Sequence, residues 1–304
     1  LWMAAVWQQM GSPENIRIIE LGPGRGTLMS DALRAVQIVP AFCEALVLHL
    51  VEISPVLEAQ QERTLEHLGI QMSWHPTLND VPKGAAIIIA NEFFDALPIN
   101  QAVKTELGWH ERQIEIDANG NLAYTFDPEP IAHFDMLLPA TVRAAPALSI
   151  FEWRDSTAAM DLGRRIADHS GAALVIDYGH AQSGIGETLQ AVGQHAYADP
   201  LTAPGDIDIT AHVDFQALAL AVEAMGANGF GPIDQSQFLH VLGIETRAAA
   251  LKAKAASREA SADIDAALAR LTGHGRTGMG ELFKAACFAH PSVGVPPGFE
   301  KPRS

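Results

Sequence analysis

Residues 18–36 read "IIELGPGRGTLMSDALRAV", and the reading of the fold turns on how the glycines in this stretch are spaced. An apolar run ends at Glu20, alternating glycines follow at Gly22, Gly24 and Gly26, and from Thr27 to Val36 the apolar spacing becomes helical. A buried strand that turns tightly into a helix opens an α/β unit. The turn does not match the common nucleotide loops. A dinucleotide site requires G-x-G-x-x-G, whereas here the third glycine arrives one residue early and Thr27 fills its slot. A phosphate-binding P-loop requires a following Gly-Lys-Ser/Thr, and none follows.

Outward from this stretch the α/β pattern repeats. "ALVLHLVEI" (45–53) is a second buried strand, and Pro55 to Leu68 reads as a helix with proline in its first turn. "IQMSW", "AAIIIA" and "GAALVIDYG" supply further strands, so a mostly parallel sheet with helices on both faces is expected. Residues 99–126, "INQAVKTELGWHERQIEIDANGNLAYTF", alternate with period two around an Asn119-Gly120 turn and read as an antiparallel hairpin insertion. An alanine-rich stretch at about 235–272 reads as a helical accessory region, and the whole of 1–304 as a single domain.

Composition narrows the function classes. The chain has 304 residues, 48% hydrophobic and 18% charged, enough for a sizeable core. A net charge of −16 opposes nucleic-acid binding, which needs excess lysine and arginine to neutralise phosphates, and suits a cationic partner instead. Two cysteines, Cys43 and Cys287, are too few for a disulfide framework or a CxxC site, so a reducing compartment is expected. No metal is expected, because the twelve histidines show no HExxH or His/Cys ligand spacing. There is no eighteen-residue apolar run, and so no membrane insertion is expected. The first residues, "LWMAAVWQQMG", read as the middle of a helix, which suggests further residues upstream.

Strand-end acids then direct the chemistry. Glu20 beside a glycine turn suits a ligand that carries positive charge and no phosphate, and S-adenosylmethionine, with an ammonium and a sulfonium, is such a ligand. Glu52 ends the second strand next to the same turn, where a carboxylate can accept both hydrogen bonds of a ribose diol, with Ile53 beside it. "ANEFFDALP" puts Asn91, Glu92 and Asp95 after an apolar strand, at the sheet edge where open α/β folds keep ligands. Two carboxylates flanking two phenylalanines fit a guanidinium, a planar fork of five donors that stays protonated. Asp95 could instead cap the following segment. Asp177, Tyr178 and His180 end another inner strand. Thr210, His212 and Asp214 fit a helix cap better than a poised histidine.

"IELGPGRGTLMSDALR", "HLVEISP", "ANEFFDALPINQ", "LVIDYGH", "GETLQAV", "DITAHVDF" and "MGELFKAA" resemble, in order, the motifs of the MidA-like family of S-adenosylmethionine-dependent methyltransferases, which includes the mitochondrial complex I assembly-factor arginine methyltransferase. The resemblance implies a class I methyltransferase fold, Rossmann-like, with a late antiparallel strand at "ELFKAACFA". The family's cofactor is S-adenosyl-L-methionine, and from the residues themselves Glu20, Gly22, Gly24, Gly26, Glu52, Ile53 and Asn91 are expected to hold it, with Glu92 and Asp95 the expected catalytic residues. The resemblance also implies arginine methylation of a respiratory complex I (NADH dehydrogenase) subunit, in a bacterial cytoplasm or a mitochondrial matrix. A non-catalytic assembly factor that binds the cofactor for stability is the alternative. Two departures stand out. The family carries an N-terminal motif upstream of the point where this chain begins, and at "FEWRDS" only Glu152 matches the family pattern.

Overall fold

The computed structural model describes residues 1–193, 196–202, 204–275 and 278–300. Its helices are α1 (Trp2–Gln9), α2 (Thr27–Ala35), α3 (Pro40–Ala45), α4 (Pro55–Leu65), α5 (Ala140–Arg143), α6 (Thr157–His169), α7 (Phe215–Glu223), α8 (Gln235–Val241), α9 (Ile244–Lys252) and α10 (Arg258–Thr272). The first strands are β1 (Ile16–Leu21), β2 (Leu46–Val51), β3 (Met72–His75), β4 (Ala86–Asn91), β5 (Ile99–Thr105), β6 (Gly108–Ile116), β7 (Leu122–Phe126) and β8 (Ile150–Arg154). They are followed by β9 (Gly171–His180), β10 (Gln190–Gly193), β11 (Ala196–Ala198), β12 (Asp208–Thr210), β13 (Val213–Asp214), β14 (Asn228–Asp234) and β15 (Phe283–Ala289). The chain divides into two compact units. The first comprises Leu1–Phe93, Thr157–Tyr178 and Leu218–Ser304, and the second Phe94–Ser156 and Gly179–Ala217.

The first unit is built on a sheet of order β14-β15-β9-β4-β1-β2-β3. Strands β3, β2, β1, β4 and β9 run parallel, and β15 lies antiparallel between β9 and β14. This order, with one late antiparallel strand, is the class I methyltransferase arrangement. The β strands are short apolar runs because helices cover both faces. One face, with Ile16, Ile18, Leu48, Leu50, Ile87 and Leu174, packs on Trp2, Val6 and Trp7 of α1, Met29 and Leu33 of α2, and Phe42 of α3. On α6, Leu162 and Ile166 are buried, and a Cβ on Gly163 would lie 2.5 Å from the Val222 carbonyl oxygen of α7, so the two helices meet at van der Waals contact. Helix α4 starts where its proline predicts, and Ser54 caps it by accepting from the Leu57 amide at 3.4 Å. The helix gives way to a 3₁₀ turn at Glu66–Leu68, so its predicted end is met with a tighter final turn. The alanine-rich stretch forms α8, α9 and α10.

One histidine pair gives this unit an acid-sensitive contribution to stability. His49 of β2 is buried, and its Nδ1 lies 3.0 Å from Nε2 of His75 at the end of β3. Burial, then the charges of His75, Arg17 and Arg165, pull the His49 imidazole from 6.5 down to about 4. The folded His49 therefore stays neutral where the unfolded chain takes up a proton, so this contribution to stability is lost as pH falls from 6.5 towards 4. The melting temperature of the unmodified protein should gain more, or lose less, with rising pH across that window than that of His49→Gln, because the variant lacks this contribution. An unchanged slope in the variant would place the acid sensitivity elsewhere.

The second unit carries an antiparallel sheet of order β7-β6-β5-β8. The expected hairpin at 99–126 is three strands, with Asp117 Oδ1 accepting from the amides of Asn119 and Asn121 to close the β6–β7 turn. Trp109, Phe134, Leu138, Val142 and Phe151 form its core. A three-stranded sheet, β11-β10-β12, completes the unit. Two side chains of β8 tie its loops together. Arg154 donates to the carbonyls of Leu97 (3.3 Å), Asp95 (3.0 Å), Ala211 (2.6 Å) and His212 (2.7 Å). Glu152 accepts from Gln101 Nε2 at 2.6 Å, from the amides of Thr188 and Leu189, and from the Thr188 hydroxyl. No helix among the described residues is long and apolar enough to cross a membrane.

Candidate active site

The carboxyl edge of β4, β1 and β2 gathers the predicted residues of the first unit. The register pairs Leu21 with Val51 and with Ala90, so Gly22, Glu52 and Asn91 leave three adjacent strands at one level. Gly22 donates its amide to the Val51 carbonyl at 3.1 Å, which holds the turn against β2. The glycines are needed for conformation. Gly22 and Gly24 have φ of 60° and 53°, and Gly26, also left-handed, is the N-cap of α2. A Cβ on Gly22 would sit 3.0 Å from the Phe93 ring, whereas a Cβ on Gly24 would meet nothing within 4 Å, leaving that backbone open to a ligand.

Glu20 is 3% exposed, and its Oε2 is buried with no hydrogen-bond partner among the described residues. Burial pushes its carboxyl from 4.5 up to about 8. A buried carboxyl oxygen without a donor is costly, and a cationic donor brought to this edge would offset that cost. Glu52 is already oriented: Oε1 accepts the amides of Ile53 (2.9 Å) and Ser54 (2.8 Å), and Oε2 accepts Gln61 Nε2 at 3.0 Å. Ile53 is 83% exposed, an apolar surface beside that carboxylate.

Gln61 was not legible in the sequence. It is fully buried on α4, donates to the Gly24 carbonyl at 2.8 Å as well as to Glu52, and accepts from Trp74 Nε1 at 2.8 Å. One amide thus ties the glycine turn to the acid of β2. A glutamine in a polar helix carries no pattern that marks it as a hub.

Glu92 follows β4 with φ of 49°, a left-handed conformation unusual outside glycine, and its amide donates to the Ile176 carbonyl at 2.9 Å. Its side chain is exposed, and Oε1 lies 3.4 Å from Asn91 Nδ2. Asp95 falls in the second unit, 5% exposed, where its carbonyl accepts from the Ala211 amide at 3.1 Å and from Arg154. Asp177 is buried and accepts the Tyr178 amide at 3.0 Å, while the Tyr178 ring packs on Phe283. The expected cap at 208–215 is Asp214, which accepts the Ala217 amide of α7 at 3.0 Å and lies 3.8 Å from His180. Glu152, the lone match in "FEWRDS", has its oxygens taken up by the Thr188 loop described above. Among the described residues no group of three His, Cys, Asp or Glu could hold a metal.

Glu52→Ala should leave the fold intact and weaken cofactor binding by roughly 1.5–3 kcal/mol, the range for hydrogen bonds to a charged group. Isothermal titration with S-adenosylhomocysteine measures it. Unchanged affinity would return Glu52 to a purely structural part in the turn.

Comparison with known proteins shows the family. The family described as "Putative S-adenosyl-L-methionine-dependent methyltransferase" matches residues 1–233. Protein arginine methyltransferase NDUFAF7, mitochondrial, is 33% identical over 285 residues in Rattus norvegicus, covering 84% of this chain and 63% of that protein. The Homo sapiens protein of the same name is 34% identical, covering 81% of this chain and 60% of that protein. This chain thus spans less than two thirds of these relatives. A crystal structure from Burkholderia thailandensis superposes with a TM-score of 0.84 at 27% identity, covering 99% of this chain and 80% of that one. A second, from the same organism and bound to S-adenosyl-homocysteine, gives 0.81 at 26% identity, covering 99% and 75%. The glycine turn, the strand-end acids, the strand order and these matches converge: the chain belongs to the S-adenosyl-L-methionine-dependent methyltransferase family, whose cofactor is S-adenosyl-L-methionine.

Proposed function

We propose that the chain is a protein-arginine N-methyltransferase acting on a subunit of respiratory complex I, with Glu20, Gly22, Gly24, Gly26, Glu52, Ile53 and Asn91 holding the cofactor. The observation that carries the catalytic part is Glu92, an exposed carboxylate at the sheet edge held in left-handed backbone. Such a conformation costs of order 1–3 kcal/mol and persists where the surroundings impose it, most often at functional sites. The names of the curated relatives support arginine as the acceptor.

The bound cofactor supplies an electrophilic methyl group: the carbon–sulfur bond breaks as a nitrogen–carbon bond forms, and sulfur leaves as a neutral thioether. Glu92 receives the guanidinium through its donors, fixing the planar fork so that one nitrogen faces the methyl carbon. Its charge also favours the cationic guanidinium in that place and offsets its desolvation. Asp95 has a supporting part in this scheme, on the segment that Arg154 holds. The proton lost by the methylated nitrogen passes to solvent, for which the exposure of Glu92 leaves a route.

Co-expression with a complex I subunit, followed by intact-mass analysis of that subunit, tests the proposal. Mass increments of one or more methyl groups, present only with this protein and mapped to an arginine, are expected. Increments that map to another residue type would overturn the arginine assignment while leaving the cofactor site as described.

A further inference from the structure

The face of β1, β2 and β3 turned away from the Ile16–Ile18 core carries a cluster of basic side chains that the methyl-transfer site does not use. The register aligns Ile19 with His49 and Val51 with His75, so Arg17, His49 and His75 project from one face of three neighbouring strands. Arg165 joins them from α6. It is 7% exposed, donates Nη1 and Nη2 to the Val81 and Pro82 carbonyls at 2.8 and 2.7 Å, and keeps a buried Nε with no partner among the described residues. The half-exposed Arg17 has a buried, unpartnered Nε as well, and its side chain makes no hydrogen bond or ion pair among the described residues. Gly84 leaves the room for it: a Cβ there would fall 2.2 Å from Arg17 Nη1.

Buried guanidinium groups in proteins are paired with anions, because desolvating an uncompensated charge costs several kcal/mol. Here the acid that acts on the cluster is Asp80, and its Oδ2 is engaged by the Thr77 amide and hydroxyl at 3.1 and 2.7 Å. In a chain of net charge −16, this is a local cationic site whose one acidic neighbour among the described residues is already engaged. We propose that Arg17, Arg165 and the His49–His75 pair form a binding site for a small tetrahedral oxyanion of the sulfate or phosphate class. Tetrahedral oxygens match the divergent donors of two guanidiniums and an imidazole pair. The half-exposed Arg17 and His75 form its entrance.

Binding is linked to pH. The groups facing His49 are His75 from β3, Arg17 from β1 and Arg165 from α6, all disfavouring a second proton, while Asp80 favours one on His75. A bound dianion reverses that sum, so the imidazole pair takes up a proton as the anion enters, and binding tightens as pH falls from about 7.5 to about 5.5. Sulfate is the appropriate probe, since its charge is constant over this range.

The experiment follows the imidazole NMR signals of His49 and His75 during titration with sodium sulfate at constant ionic strength, with chloride as the balancing ion. Saturable shifts with sulfate, stronger at the lower pH, are expected, and the apparent affinity should fall about tenfold in Arg17→Met. Phosphate should compete with sulfate, while acetate should not. His75→Gln provides a second, half-exposed substitution should Arg17→Met fail to fold. Equal responses to sulfate and chloride, or sulfate affinity unchanged in whichever variant folds, would overturn the proposal. Neither result touches the cofactor edge.

Discussion

Methyl transfer should fall about tenfold to a thousandfold in Glu92→Gln, the scale of removing one electrostatic contact to a transition state, while cofactor affinity is unchanged. Glutamine keeps the size of the side chain and an acceptor for the 3.4 Å contact with Asn91. What the substitution removes is the charge that holds and compensates a guanidinium. Asp95→Asn should do less, because Asp95 is buried and its segment is fixed through its carbonyl. A third substitution separates chemistry from strain. Glu92→Gly accommodates φ of 49° without a Cβ, so it should raise the melting temperature while removing transfer. The measurement is radiolabelled methyl incorporation into a co-purified complex I subunit at saturating cofactor, with subunit binding followed separately. Full incorporation by Glu92→Gln would remove Glu92 from the mechanism. Subunit binding with no incorporation by the unmodified protein would favour the non-catalytic assembly factor.

Cofactor affinity should rise about a hundredfold between pH 5.5 and 7.5, with about one proton released per cofactor bound at the lower end. The reason is Glu20. With its carboxyl at about 8, it is neutral in the free protein over most of this range, and it must ionise to compensate a cationic ligand. The same shift destabilises the free protein as pH rises from 4.5 towards 8, because the unfolded chain gives up a proton that the folded one retains. Calorimetric titration in buffers of different ionisation heat counts the protons. Glu20→Gln should abolish both the pH slope and the proton release. A flat affinity profile in the unmodified protein would mean that the ligand's charge is met elsewhere.

Much of the first unit was legible because its signals are local. The run at Ile16–Leu21, the glycine turn and the apolar β4 each announce themselves within a few residues, and their order determines a parallel sheet. Strand β14 was missed because Gly229, Gly231 and Pro232 are residues that strands usually avoid, and a register shift between Phe230 and Ile233 accommodates them. The strand exists because it pairs with β15, a partner some fifty residues away. Gln61 and Glu152 were obscure for a related reason. Their importance lies in hydrogen bonds to loops distant in sequence, which period and spacing do not encode. The acids at 20, 52 and 92 were visible because strand ends are visible, but the burial of Glu20 and the left-handed backbone of Glu92 are properties of the folded chain alone.

Arg154 has a bearing on amide exchange. Four carbonyls from two separate segments, Asp95 and Leu97 in one and Ala211 and His212 in the other, converge on its single guanidinium. Neither segment can open fully without surrendering bonds that the other shares, so the two should lose protection together as one cooperative unit. Deuterium uptake in peptides covering 95–97 and 211–212 would then have the same opening free energy, although more than a hundred residues separate them along the chain.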